Sequence, residues 1–219
     1  MIFTKKIIEQ DFDDLFQPIS KEEMGDRNKE KLDRRLKEIL SRSIKNSDGS
    51  YDVEGNVELS FLELKKIPIR FRKISGSLHA DHNNLTSLED GPEKITGVYD
   101  VSYNKLTSLK GSPREIPWSF YAHDNKLTSL EGGPEVVRVH YWVQYNKLTS
   151  LKGCPKEVGS NMNLRENLLT TLEDLTTEIG GELDISGNSS TREDLLATAT
   201  GINIDKKNIV ESLKQLVKC

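Results

Sequence analysis

Six asparagines stand at one constant interval. Asn83, Asn104, Asn125, Asn146, Asn167 and Asn188 are 21 residues apart with no insertion, and the first four open nearly the same phrase: NNLTSLEDGP, NKLTSLKGSP, NKLTSLEGGP and NKLTSLKGCP. A fifth copy, NLLTTLEDLT, starts at Asn167 and a decayed sixth, NSSTRED, at Asn188. A fixed period of this length means a stack of coils, because one such unit cannot bury its apolar face alone. Val57 to Ile67 falls one period before the first clean copy. Leu62 takes the place of the asparagine there, while Val57, Leu59, Leu64 and Ile67 keep the apolar columns of a worn first coil.

Aligning the copies shows what each coil must do. Leu85, Leu106, Leu127, Leu148 and Leu169 form one apolar column, and Leu88, Leu109, Leu130, Leu151 and Leu172 a second. Two more precede the asparagine: Leu78, Tyr99, Phe120, Tyr141, Met162 and Leu183, then Ala80, Val101, Ala122, Val143, Leu164 and Ile185. These lie two residues apart, the period of a strand, so each coil is expected to give a short strand with both residues pointing inward. Ile95, Ile116, Val137, Val158 and Ile179 close the coil on the opposite side. The asparagine sits where the chain leaves the strand, and its amide can satisfy backbone groups of the turn, so a buried ladder is expected. Gly91 and Gly133, with Pro92, Pro113, Pro134 and Pro155, mark a second turn and leave room only for extended or short 3₁₀ segments. Glu89, Lys110, Glu131, Lys152 and Glu173 alternate in sign, as do Glu93, Arg114, Glu135 and Lys156, so coils about 4.8 Å apart set opposite charges together.

The pattern L-x-x-N-K-L-T-S-L after a strand resembles the leucine-rich repeat. The helix-poor coil with NKLTSLEGxP followed by valine or isoleucine is similar to repeats of tailed-phage and bacterial proteins. The resemblance covers about residues 57 to 188. It implies an α/β solenoid: a right-handed leucine-rich-repeat arc with a parallel concave β-sheet of six or seven strands, a helix-poor convex side, and helical caps at both ends. It also implies a binding scaffold, and nothing in the sequence matches an appended enzyme such as the ubiquitin ligase domain of some bacterial repeat effectors.

Three segments follow: residues 1–50, an N-terminal helical segment or cap; 51–190, the solenoid of about six to seven coils; and 191–219, a C-terminal helical cap. Leu32, Leu36, Ile39 and Leu40 recur at helical spacing and predict a helix over 21–43 with one apolar stripe, which caps the first coil or serves as a partner arm. NSDGS at Asn46 to Ser50 marks the boundary. After Asn188, Ser190 and Glu193 fit a capping box ahead of Asp194 to Ala197. Asp205 can cap a last helix carrying Ile209, Val210, Leu213, Leu216 and Val217 on one face.

Composition narrows the function classes. A net charge of -4 over 219 residues argues against nucleic acid and anionic membrane as main partners. No stretch approaches the ~20 apolar residues of a membrane span, and MIFTKKIIEQ lacks the apolar run of a secretion signal. The expected location is therefore cytoplasmic, or the host cytoplasm for a phage-encoded chain. Cys154 and Cys219 form no metal or redox spacing and read as two inert thiols.

The outward strand positions are not bland. One column reads His79, Asp100, Tyr121, Trp142, Asn163, Asp184 and the next Asp81, Ser102, His123, Gln144, Arg165, Ser186. The strand ends add His82, Tyr103, Asp124, Tyr145 and Glu166, and all four histidines, His140 included, fall on this side. Trp118 lies at a strand entrance, its direction not fixed by the register. Aromatic residues and arginine on a rigid surface are the usual anchors of a protein interface. The expectation is a non-enzymatic module that captures a partner protein through Tyr103, Tyr121, His123, Trp142, Gln144, Tyr145 and Arg165. It needs no cofactor, metal or catalytic residue, and the chain is a monomer or weak homo-oligomer. The phage resemblance suggests a factor that inhibits a host protein. Two alternatives stay open: glycan or nucleic-acid binding on the aromatic face, and a metal-dependent site at His79, Asp81 and Asp100, which adjacent strands bring within reach of one ion.

Overall fold

The computed structural model describes residues 26–190 and 192–198. Helix α1 (Asp26–Ser41) leads into a hairpin of β1 (Ser43–Lys45) and β2 (Tyr51–Glu54), the only antiparallel pair among the described residues. From there the chain is a solenoid of stacked parallel strands with the 21-residue spacing of the asparagines. β3 (Val57–Glu58), β5 (Leu78–His79), β7 (Tyr99–Asp100), β9 (Phe120–Tyr121), β11 (Tyr141–Trp142), β13 (Met162–Asn163) and β15 (Leu183–Asp184) make a seven-stranded parallel sheet. The alternate strands are β4 (Phe71–Ser75), β6 (Lys94–Ile95), β8 (Glu115–Ile116), β10 (Val136–Val137), β12 (Glu157–Val158) and β14 (Glu178–Ile179). They pair as β2-β4-β6 and as β8-β10-β12-β14. A short helix, α2 (Arg192–Thr198), follows the last strand.

Register makes the sequence columns into rows of touching side chains. Tyr99 pairs with Phe120 and Asp100 with Tyr121, then Tyr141 with Met162 and Trp142 with Asn163, all unshifted. Both leucine columns and both inward strand columns are buried throughout, and so is the closing column from Ile95 to Ile179. Inside, the rings of Tyr99, Phe120 and Tyr141 follow one another at 5.7 and 5.4 Å. On the second side the expected extended or 3₁₀ path is extended and pairs as strands. A turn residue such as Gly111, at φ 100°, brings the chain so close that a Cβ there would lie 2.3 Å from the Leu88 carbonyl oxygen. Packing of adjacent coils at that distance favours straight ladder hydrogen bonds over a bulkier helical turn.

The asparagine ladder runs through all six positions from Asn83 to Asn188. Oδ1 of Asn104 accepts from the Leu85 N–H at 2.8 Å, and its Nδ2 donates to Ala80 O, Val101 O and Ser102 O at 2.9, 3.1 and 3.1 Å. Asn83 does double duty in the worn first coil, accepting from both Leu62 and Leu64 at 3.0 Å. The residue just before each asparagine is left-handed: Phe61 at φ 58° in the coil where Leu62 replaces it, then His82 51°, Tyr103 51°, Asp124 54°, Tyr145 55° and Glu166 52°. The last coil puts Gly187 there, at φ 66°. For any residue but glycine this conformation costs roughly 1–2 kcal/mol.

The charge columns meet only in part: among the described residues three of the expected contacts form, and Glu93 pairs with Arg70 instead of Arg114. Glu135 pairs with Arg114 and Lys156, each at 2.7 Å, and Glu131 with Lys152 at 3.0 Å. Lys156 first, then Arg114, holds the Glu135 carboxyl below the usual range. Arg138 adds a bridge between Glu115 and Glu157 that no column predicted. These groups are exposed, so their contribution is small and screened by salt.

At the N-terminal end the expected stripe of Leu32, Leu36, Ile39 and Leu40 is buried with the first coil, and Nη1 of Arg35 donates to Ser60 O at 2.7 Å. NSDGS forms the tip of the β1–β2 hairpin, with Gly49 at φ 82°, so the chain on its two sides is paired. At the other end Leu195 of α2 is buried, and Oγ1 of Thr198 accepts from the Leu172 N–H at 2.8 Å. Residues 21–25 of the expected first helix, the Glu193 side chain of the capping box, and the last helix with Ile209, Val210, Leu213, Leu216 and Val217 lie outside what is described. Among the described residues no helix is long and apolar enough to cross a membrane.

Candidate functional site

The outward side of the seven-stranded sheet carries two rows fixed by strand alternation. Glu58, His79, Asp100, Tyr121, Trp142, Asn163 and Asp184 stand side by side through the ladder pairing. Two residues on, just past each strand end where the ladder bonds continue, run Ser60, Asp81, Ser102, His123, Gln144, Arg165 and Ser186, on the same face because side chains repeat every second residue. A third row is the left-handed one beginning at Phe61.

The seven residues expected to bind a partner all lie in these rows on neighbouring coils. Trp142 rests against Tyr121, ring centroids 4.9 Å apart and planes tilted 42°, and His140 stacks with it at 5.6 Å. Both Trp142 and Tyr121 remain half-buried. Tyr145 is 42% exposed, with the Arg165 guanidinium over its ring at 5.0 Å and Nη2 donating to its hydroxyl. Tyr103 is 45% exposed and meets His123 edge-on at 5.1 Å. Nδ1 of His123 is 2.9 Å from Asp124 Oδ2. Gln144 Oε1 and Arg165 Nε are buried without a hydrogen-bond partner among the described residues.

One feature went unforeseen, and the open direction of Trp118 is settled. Phe61, 57% exposed, stacks on His82 at 4.3 Å and His82 on Tyr103 at 4.3 Å, with planes within 16° and 22°. With His123 they form a continuous aromatic stripe over four coils. Phe61 sits one period before His82, so the column itself was visible; its direction depends on the positive φ, which the sequence does not signal. Trp118 is 58% exposed, but it stands two residues before Phe120 in the connection, outside these rows.

At one end of the face the expected trio meets. One ligand atom each of His79, Asp81 and Asp100 lies within 4.8 Å of the others. The Asp81 carboxylate accepts from Ser60 Oγ and faces His82 Nδ1 at 2.8 Å. Burial works to raise its pKa, but the bonds from Ser60 and His82 outweigh that and hold it below the usual carboxylate range. Asp100 Oδ1 accepts from the Ser102 N–H at 3.0 Å and the Ser102 hydroxyl at 2.6 Å.

Cys154 lies away from this face, packed against the core. Its Sγ is 3.0 Å from Thr177 Oγ1, whose own proton goes to Pro155 O at 2.6 Å. The thiol is therefore the donor, and burial pushes it up to about 12. A groove of about 660 Å³ lies over the second set of strands, among Ile95, Arg114, Glu115, Glu135, Val136 and Lys156. Its central charges are already paired, Glu135 with Arg114 and Lys156, and Glu115 with Arg138 beside the groove. Comparison with protein-family models, curated proteins and solved structures finds no match.

Proposed function

We propose that the chain is a non-enzymatic binding module that takes a partner protein on the seven-stranded face. In this reading the coils are leucine-rich repeats, the face is concave, and α1 and α2 cap the ends. The observation that carries it is the left-handed row: Phe61, Tyr103 and Tyr145 are large, exposed rings held at positive φ. Glycine would relieve that cost, as Gly187 does in the last coil. Strained, exposed aromatic residues on a rigid scaffold are what an interface keeps and a folding requirement does not. Beside them Tyr121, Trp142 and the Tyr145–Arg165 pair supply the residue types enriched at interface centres, with Asp124, Asp184 and Glu166 in the same rows. The same acids and the net charge of -4 weigh against nucleic acid. The resemblance of the repeat to tailed-phage sequences extends the proposal to a factor that inhibits a host protein in the host cytoplasm.

The test is affinity capture by the immobilised full chain from a lysate of its native host, run beside a Tyr121→Ser, Tyr145→Ser double variant. One protein recovered by the native chain, lost with the variant, and rebound after purification supports the reading. Equal recovery by both chains overturns it.

A further inference from the structure

The trio at the β5–β7 end of the face sets an imidazole and two carboxylates close enough to share one ion. Asp81 follows His79 by two residues just beyond the end of β5, and Asp100 is the ladder neighbour of His79 on β7, so the three side chains converge on one patch. Among the described residues only this pair of coils does so. The equivalent positions further along are Tyr121 with His123, Trp142 with Gln144, and Asn163 with Arg165.

Charge and hydrogen bonding at the patch are unbalanced. Glu58, Asp81 and Asp100 bring three carboxylates together, and among the described residues no lysine or arginine pairs with any of them; their ion partners are His79, 4.0 Å from Glu58, and His82. His79 is half-buried, and its ring makes no hydrogen bond with any described residue; Glu58 at 4.0 Å is beyond that range. The two aspartates are instead each held by neighbours: Asp81 by Ser60 and His82, Asp100 by Ser102. A carboxylate has about four lone-pair sites, so these bonds orient the groups and leave capacity toward the patch. Ligating carboxylates are held by outer partners in this way.

We propose that His79, Asp81 and Asp100 bind one divalent first-row transition ion of the zinc type, with Glu58 in reach as a further oxygen ligand. An imidazole nitrogen with carboxylate oxygens selects such an ion over magnesium or calcium, which prefer all-oxygen sets. Three protein ligands leave coordination positions open toward whatever lies on the face. The site is independent of the protein-binding reading and stands or falls without it.

The probe is Co²⁺, added to the metal-free full chain and followed by visible absorption, with Zn²⁺ and Mg²⁺ as competitors. One Co²⁺ per chain is expected, displaced by Zn²⁺ but not by millimolar Mg²⁺. His79→Gln, Asp81→Asn and Asp100→Asn each weaken binding at least tenfold, and His140→Gln leaves it unchanged. Asparagine at 100 can still accept the Ser102 bonds, which keeps that variant folded; circular dichroism verifies each. A readout without substitution accompanies this: Co²⁺ broadens the proton resonances of the His79 and His82 rings before those of His123 and His140. No stoichiometric binding, equal displacement by Mg²⁺, or binding and broadening that ignore His79 overturns the proposal.

Discussion

The side chain of Asn125 belongs structurally to the coil before its own: its Oδ1 accepts from the Leu106 N–H at 2.9 Å while its Nδ2 donates to Val101 O at 3.0 Å. Two neighbouring coils are stitched together wholly inside the core, where water cannot substitute. Asn125→Ala leaves a buried N–H and several carbonyls unpaired, at about 1–3 kcal/mol for each group that finds no new partner. We expect a loss of at least about 3 kcal/mol in urea unfolding, and a smaller one for Asn188→Ala, whose asparagine is only half-buried. A loss below about 1 kcal/mol at Asn125 would show that the turn holds without it.

Leu127 is fully buried between the leucines of the coils on either side. Leu127→Ala removes apolar contact on both neighbours, and a stack with fixed spacing collapses poorly into the gap. The expected cost is about 2–5 kcal/mol in the same measurement.

Glu166 tests the strain directly. It is exposed, left-handed at φ 52°, and without the ring contacts that Phe61, His82, Tyr103 and Tyr145 make. Glu166→Gly relieves roughly 1–2 kcal/mol of backbone cost, less about 0.5–1 kcal/mol of added chain entropy in the unfolded state. A small rise in melting temperature is expected. A fall would mean that the carboxylate supports the coil.

For Cys154 the folded thiol is raised from 9.0 to about 12, chiefly by burial. A raised value means that this contribution to stability is complete below pH 9 and is lost as pH climbs from 9 toward 12. At pH 8 the thiolate fraction is on the order of a thousandfold lower than in the unfolded chain. Iodoacetamide labelling followed by peptide mapping, which separates Cys154 from Cys219, should find Cys154 unmodified in buffer and modified in urea. Ready labelling in buffer would contradict its placement.

The sequence carried the columns well because a strict period repeats the same evidence in every coil. The core positions, the asparagine ladder and the Glu135 pairs with Arg114 and Lys156 could all be read by alignment. So could the meeting of His79, Asp81 and Asp100, which follows from period-two alternation and one ladder step. The second run of strands could not, since glycine and proline turns exclude a long helix without choosing between 3₁₀ and extended chain. The Phe61–His82–Tyr103 stack was hidden because its direction is set by a positive φ at residues that rarely adopt one. Arg138 was missed because its partners, Glu115 and Glu157, come from the coils on either side, outside any single column.

The central claim is that the aromatic face binds a protein, and Trp142 decides it. Its contact with Tyr121 at 4.9 Å and with His140 at 5.6 Å lets packing alone account for the ring. The deciding measurement is the affinity of the purified, captured partner for the native chain and for Trp142→Ala, with the melting temperature of both chains taken in parallel. The account predicts a Kd at least about tenfold weaker, equivalent to about 1.4 kcal/mol, with melting nearly unchanged. An unchanged Kd with a clear fall in melting would contradict it and leave Trp142 as packing on Tyr121.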